Sequence, residues 1–290
     1  MASILDLIVS RIPCLKGDDA KKLISAFDRI EDLTSLTKEN LEHFLGHSLK
    51  ETQAWDKLLA QAEMDEKSAA LRGIKTVSLR EEKYPPLVRE IFDPPAVLFY
   101  RGSLPVPEQP LVALVGTRKP SSAAAVQAFV LGRELGRMGV PVVSGLALGI
   151  DALAHKGNIE GGGAAVAVLG SGPDMVFPVS NRHLARRILE TGGCILAEYA
   201  PGTVPMKWHF PARNRIISAL SRCTVIIEAP QKSGALITAD FALEHNRELM
   251  VAAVGARSRL GKGTERLAEE GAKVVSSGEE IMKELMNISL

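Results

Sequence analysis

The stretch Leu111-Val112-Ala113-Leu114-Val115-Gly116-Thr117-Arg118-Lys119-Pro120-Ser121 decides the fold. An unbroken apolar run ends on a glycine, a loop carrying two cations follows, and residues 122–138 then take up helical spacing. A short apolar run bounded by turn residues reads as a strand buried on both faces. The unit recurs along the chain, with strands at 111–116, 140–145, 164–170, 194–199, 223–229, 249–254 and 273–275. Amphipathic segments at 122–138, 183–190, 213–220 and 235–247 lie between them. The pattern predicts an α/β fold, a mostly parallel sheet with helices on both faces. Ligands of such sheets bind outside the carboxyl ends of the strands, so the strand-to-helix loops are where chemistry is expected.

Upstream, residues 1–72 read as short helices, with apolar spacing in Ile4-Leu5, Leu7-Ile8, Leu23-Ile24, Phe27, Leu41 and Phe44-Leu45, and Thr37 placed to cap the helix containing Leu41. The segment 12–23 is similar to a helix-hairpin-helix, but Cys14 and Lys16 stand where its turn has glycines, and Asp18 and Asp19 would repel phosphate. This all-helical unit, SAM- or helix-hairpin-helix-like, is expected to dock rather than grip DNA. Residues 73–290 form the second expected domain. It opens with a proline-rich connector, Tyr84-Pro85-Pro86 and Asp93-Pro94-Pro95, ending in a strand near 96–102.

The net charge of +1 conceals a division. Residues 101–222 carry 13 Lys+Arg against 7 Asp+Glu, whereas 1–100 carry 14 against 17 and 223–290 carry 8 against 10. A basic centre between acidic ends suits an anionic ligand. Cys14, Cys194 and Cys223 form no Cys-x-x-Cys pair and are expected to be small core residues. No run approaches the ~20 apolar residues of a membrane span, and the N-terminus lacks signal-peptide character, which predicts a cytoplasmic protein without membrane contact.

The loops lack both Gly-x-Gly-x-x-Gly and a Walker A sequence, arguing against a dinucleotide cofactor and against ATP hydrolysis; no cofactor and no metal is expected. They offer instead Arg118, Ser144-Gly145 and Ser233-Gly234, cations and small residues at helix starts that can bind phosphates or simply cap helices. The segment Lys207-Trp208-His209-Phe210-Pro211-Ala212-Arg213-Asn214-Arg215 concentrates cations and aromatics in a chain only 4% aromatic. That mixture suits single-stranded nucleic acid, cations for phosphates and a ring face for a base. A plainer reading makes Phe210 core, Arg213 a salt-bridge partner and Asn214 a backbone partner. Asp151/His155 and His43/His47 are spaced i, i+4 without a third metal ligand; Asp151 is expected to brace its helix and His155 to satisfy a local hydrogen bond.

Four motifs in order resemble the DNA-processing protein A (DprA/Smf) family: Val115-Gly116-Thr117-Arg118, the 144–155 segment Ser-Gly-Leu-Ala-Leu-Gly-Ile-Asp-Ala-Leu-Ala-His, the 210–221 segment beginning Phe-Pro-Ala-Arg-Asn-Arg, and the 228–239 segment containing Ser233-Gly234. The resemblance covers about residues 75–280. It implies an extended Rossmann-like domain, a homodimer, and a non-enzymatic mediator that binds single-stranded DNA and loads the RecA recombinase during natural transformation. It further implies that Arg118 and Lys207 meet phosphates, that Ser144, Gly145, Ser233 and Gly234 face the DNA backbone, that Phe210 stacks a base, and that Arg213 and Asn214 complete the pocket. Longer relatives continue into a winged-helix domain, for which this sequence has no counterpart before Leu290. The alternative on the same sheet is a small-nucleotide hydrolase or sensor, for which Asp151, Glu198 and Glu228 are the candidate acids or bases.

Overall fold

A computed structural model describes residues 2–51, 53–106 and 109–288. Five helices open the chain, α1 (Ile4–Arg11), α2 (Asp19–Ala26), α3 (Ile30–Thr34), α4 (Lys38–Leu45) and α5 (Trp55–Leu71). Ser3 and Asp6 form a capping box on α1, and Thr37 caps α4 by accepting from the Asn40 N–H. Arg11 grips Asp65 of α5 at 2.5 and 2.6 Å, tying the first helix to the last. Cys14 corrects the expectation of a core residue: it is exposed at φ +61° in the turn after α1, while Cys194 and Cys223 are buried.

Then come β1 (Lys75–Ser78), the short α6 (Pro86–Glu90) and β2 (Val97–Gly102). The alternating units follow: β3 (Val112–Val115), α7 (Ser122–Arg137), β4 (Val142–Ser144), α8 (Ile150–Glu160), β5 (Val166–Leu169), a 3-10 turn (Val179–Asn181), α9 (Arg182–Glu190) and β6 (Cys194–Ala197). The chain closes with α10 (His209–Leu220), β7 (Cys223–Ile226), α11 (Gly234–Glu244), β8 (Glu248–Ala252), α12 (Ala253–Ala256), α13 (Lys262–Glu269), β9 (Lys273–Val275) and α14 (Gly278–Ile288).

The nine strands form one sheet in the order β1-β2-β6-β5-β4-β3-β7-β8-β9. From β6 to β9 every pairing is parallel; β2 joins β6 antiparallel, with Phe99 opposite Ala197, and β1 pairs antiparallel with β2. The strand at 75–78 was not foreseen from the sequence. Side chains alternate between two buried layers: Val112, Leu114 and Val225 pack against α7, α8 and α14, while Ala113, Val115 and Ile226 pack with Ile216 and Ala239 of α10 and α11. That double burial explains the continuous apolar strands.

The helical region and the sheet share one apolar cluster, running from Leu5 and Leu23 through Val77 to Phe99 and Leu196. Arg80 secures the contact, pairing with the buried Asp6 at 2.8 Å and Asp28 at 2.7 Å and donating to the Phe27 carbonyl. On the other side of the sheet α7 and α8 cross closely: a Cβ on Gly157 would lie 2.1 Å from the Phe129 carbonyl, and one on Gly132 2.3 Å from that of Ala154. Between them the fully buried Asn158 donates to the Gly132 and Val140 carbonyls at 3.2 and 3.0 Å and accepts from the Val142 N–H at 3.2 Å.

Candidate nucleic-acid interface

The chain leaves β3 toward β4 and leaves β7 toward β8, on opposite sides, so the loops after these neighbouring strands diverge and open a crevice. A cavity of about 990 Å³ occupies it, closed by the start of α10. The β3 loop contributes Thr117, Arg118 and Lys119; the β7 loop and α11 contribute Lys232, Ser233 and Gly234; the α10 segment contributes Lys207, Phe210, Arg213 and Asn214. Five lining side chains are cationic and one, Asp151, is acidic. Arg118, Lys119, Lys207 and Lys232 are exposed at the rim.

The aromatic part is built by contact. The Arg118 guanidinium lies over the half-buried Phe210 ring, 5.6 Å from its centroid, and the Phe177 ring lies tilted beside it, at 5.9 Å between centroids and 49°. Ring faces beside cations present both halves of what a strand offers, bases and phosphates.

The floor is Arg213, only 4% exposed, donating to the Val168 carbonyl; its Nε has no partner. A Cβ on Gly145 would meet the guanidinium at 1.9 to 2.1 Å, so only glycine leaves room for the arginine to lie there. Burial lowers the Arg213 pKa to about 10, against the pull of Asp151. Burial pushes the Asp151 carboxyl up, opposed by Arg213 and by the N–H groups of Ala147 and Gly145, which donate to it at 3.4 and 3.1 Å. Asp151 thus braces the loop entering α8.

Of the expected site residues, Arg118, Lys207, Phe210, Arg213, Asn214, Ser233 and Gly234 come together around the cavity; Ser144 and Gly145 do not line it. Ser144 ends β4 with its hydroxyl buried, donating to the Leu114 carbonyl at 2.7 Å, and the Gly145 N–H is taken by Asp151. Ser233 caps α11 by accepting from Ala235 N–H. Asn214 donates to the Gly234 carbonyl at 3.1 Å, joining α10 to that loop. Arg213 forms no ion pair among the described residues, whereas Arg215, two positions on, pairs with Glu198 at 2.6 Å and Asp93 at 3.0 Å. Lys119, Lys232 and Phe177 were not singled out from the sequence; the first two lie on the very loops that flank the crevice, which was the available signal.

The loops are held from behind. Glu228 is fully buried and accepts from the Ser121 N–H and hydroxyl at 2.7 and 2.8 Å. The Thr264 hydroxyl accepts from the Ala229 N–H at 2.8 Å, so the 263–266 segment serves to fix the β7 loop. No metal-binding cluster exists among the described residues, and none of their helices is long and apolar enough to cross a membrane.

His155 departs from expectation: it is fully buried, and neither ring nitrogen makes a hydrogen bond of ordinary geometry. Burial, reinforced by Arg213, lowers its pKa to about 3, opposed by the Ser144 backbone. Since the unfolded chain binds this proton near pH 6.5 and the folded one does not, stability is lost as pH falls below about 6.5. The histidine contributes up to about 1.4 kcal/mol per pH unit in that window. Urea midpoints measured from pH 7 to 5 should fall more steeply for this chain than for His155→Gln; equal slopes would refute the assignment.

Against known proteins, residues 75–286 match the family described as DNA recombination-mediator protein A. The chain belongs to that family. It is 39% identical over 219 residues to the DNA processing protein DprA of Streptococcus pneumoniae, covering 75% of this chain and 76% of the relative. With Protein Smf of Borreliella burgdorferi it shares 32% identity over 284 residues, 97% of this chain and 88% of the other. The solved structure of Streptococcus pneumoniae DprA superposes with a TM-score of 0.81 at 30% identity over 98% of both chains. That of Helicobacter pylori DNA processing protein A, described for its single-stranded DNA binding mode, gives 0.65 at 30% identity over 74% of this chain and 96% of that one. Family membership makes the protein a recombination mediator by description.

Proposed function

We propose that this protein is a non-enzymatic, cytoplasmic mediator that holds single-stranded DNA in the crevice between the β3 and β7 loops and delivers it to the RecA recombinase, acting as a homodimer in natural transformation. The observation that carries the reading is the cavity itself, with five cations against one carboxylate around two contacting aromatic rings. Arg118, Lys119, Lys207 and Lys232 neutralise phosphates at the rim, Phe210 stacks a base, and Arg213 with Asn214 forms the floor. Ser144 and Gly145 act from beneath, by seating Arg213 and the α8 loop.

The non-enzymatic reading is supported by how the candidate carboxylates are used. Glu228 is held by Ser121, Glu198 by Arg215, and Asp151 by two backbone N–H groups, so each is committed to structure. Delivery to RecA rests on the family's description as a recombination mediator.

Fluorescence anisotropy with labelled oligothymidine, single- against double-stranded, tests the reading. Single strands should bind preferentially, with a slope in log K against log salt of about −0.7 per phosphate contact. For four rim contacts, affinity should fall roughly fifty-fold between about 50 and 200 mM salt. Equal binding of duplex, or insensitivity to salt, would overturn it.

A further inference from the structure

A second cationic surface adjoins the cavity on the far side of the Phe177–Asn181 segment. Helix α9 buries Leu184, Ala185 and Ile188 and turns Arg182, His183, Arg186 and Arg187 outward. Of these, His183 and Arg187 line, with Lys156 and Glu160 of α8, a groove of about 370 Å³ that Ser180 and Asn181 also line, while Arg182 and Arg186 stand outside it. Among the described residues Lys156, Arg182 and Arg187 have no carboxylate within ion-pair distance; Arg186 reaches Glu190 only at 3.9 Å. A helix needs no such concentration of unpaired cations to stay folded, and like charges at i, i+4, as at Arg182 and Arg186, cost it stability.

The groove and the cavity lie on either side of one short chain segment. Phe177 lines the cavity and Ser180 lines the groove, and three peptide steps set their Cα atoms at most about 11 Å apart. The Asn181 carboxamide donates to the Ala147 carbonyl at 3.2 Å, and Ala147 is itself a cavity residue. Phe177 and Val179, 45% and 59% exposed, form an apolar ridge between the two cationic regions, a surface over which unpaired bases can pass while their phosphates stay beside cations.

We propose that single-stranded DNA leaving the cavity crosses the Phe177/Val179 ridge and continues along the α8/α9 groove, its phosphates held by Lys156 and Arg187. The inference rests on the cavity being a single-stranded DNA site, and gives that site a second, longer-range segment. The protein therefore reads strand length: a short oligonucleotide fills the cavity alone, and a longer one engages both.

The test compares anisotropy titrations of an oligothymidine of about five nucleotides with one of about twenty, a range spanning the usual site sizes. The variants are Lys156→Gln/Arg187→Gln, the charge-conserving Arg187→Lys, and Arg118→Ala, each checked by thermal melting. The double variant should leave the short oligonucleotide unaffected and weaken the long one, by about fivefold per lost phosphate contact at 0.1 M salt, with a salt slope shallower by about 0.7 per contact. The lysine variant should retain both. Unchanged binding of the long strand, equal weakening of both lengths, or an equal loss with duplex would overturn the proposal while Arg118→Ala still weakens both lengths. If Arg118→Ala weakens neither, the cavity reading fails and the shared path with it.

Discussion

Phe210→Ala weakens single-stranded DNA binding roughly 5- to 150-fold, the equivalent of about 1–3 kcal/mol for a lost base-stacking face. Arg118→Ala and Lys207→Ala each weaken it about fivefold at 0.1 M salt and flatten the salt slope by about 0.7, without favouring any sequence. Arg118 and Phe210 touch, so their double substitution should cost less than the sum of the single ones. Gly145→Ala is a companion that contacts no strand. Its methyl group would occupy the space of the Arg213 guanidinium, and a side chain only 4% exposed has nowhere to go without leaving the floor. It should therefore lower affinity as a cavity variant does. Anisotropy titration of the purified variants decides the matter: unchanged affinity in Phe210→Ala, Arg118→Ala and Lys207→Ala together would dismiss the crevice as the binding site.

Asn158→Ala should destabilise the fold by about 3–5 kcal/mol, a large part of the ~5–15 kcal/mol that a domain has. The residue is fully buried and satisfies three backbone groups on three elements, the Gly132 carbonyl on α7, the Val140 carbonyl, and the Val142 N–H opening β4. Asn158→Asp should be no better, because a carboxylate cannot donate to the two carbonyls and would be a buried charge. Urea denaturation should show a lowered midpoint with an unchanged slope; a loss below about 1 kcal/mol would refute this role.

How far the sequence could be read depended on where each residue's environment comes from. The parallel strands were legible because burial on both faces leaves continuous apolar runs, although their ends proved shorter than read, as in Val112–Val115. Lys75–Ser78 escaped notice because a polar tetrapeptide becomes a strand only when β2 and the helical region lie against it. The helix of the Arg213-Asn214-Arg215 motif actually begins at His209, and Gly234, not residue 235, opens α11.

The two arginines mark the boundary most clearly. Residues two apart on a helix point about 200° apart, so Arg213 floors the cavity and Arg215 turns to Glu198 and Asp93. Nothing in their spacing says which side meets the ligand. Likewise Ser144 reads as a loop donor, yet as the last residue of an inward-facing strand position it spends its hydroxyl on Leu114.

By itself the sequence determined the parallel sheet, the helices on both its faces and the loops that carry cations, because apolar periodicity and local turn chemistry are properties of neighbouring residues. Only the tertiary structure decided that Arg118, Lys207 and Lys232 border one cavity and that Glu228 stands behind it rather than in it. Those residues are brought together by the order of strands in the sheet, and strand order is settled by packing between segments far apart in the chain.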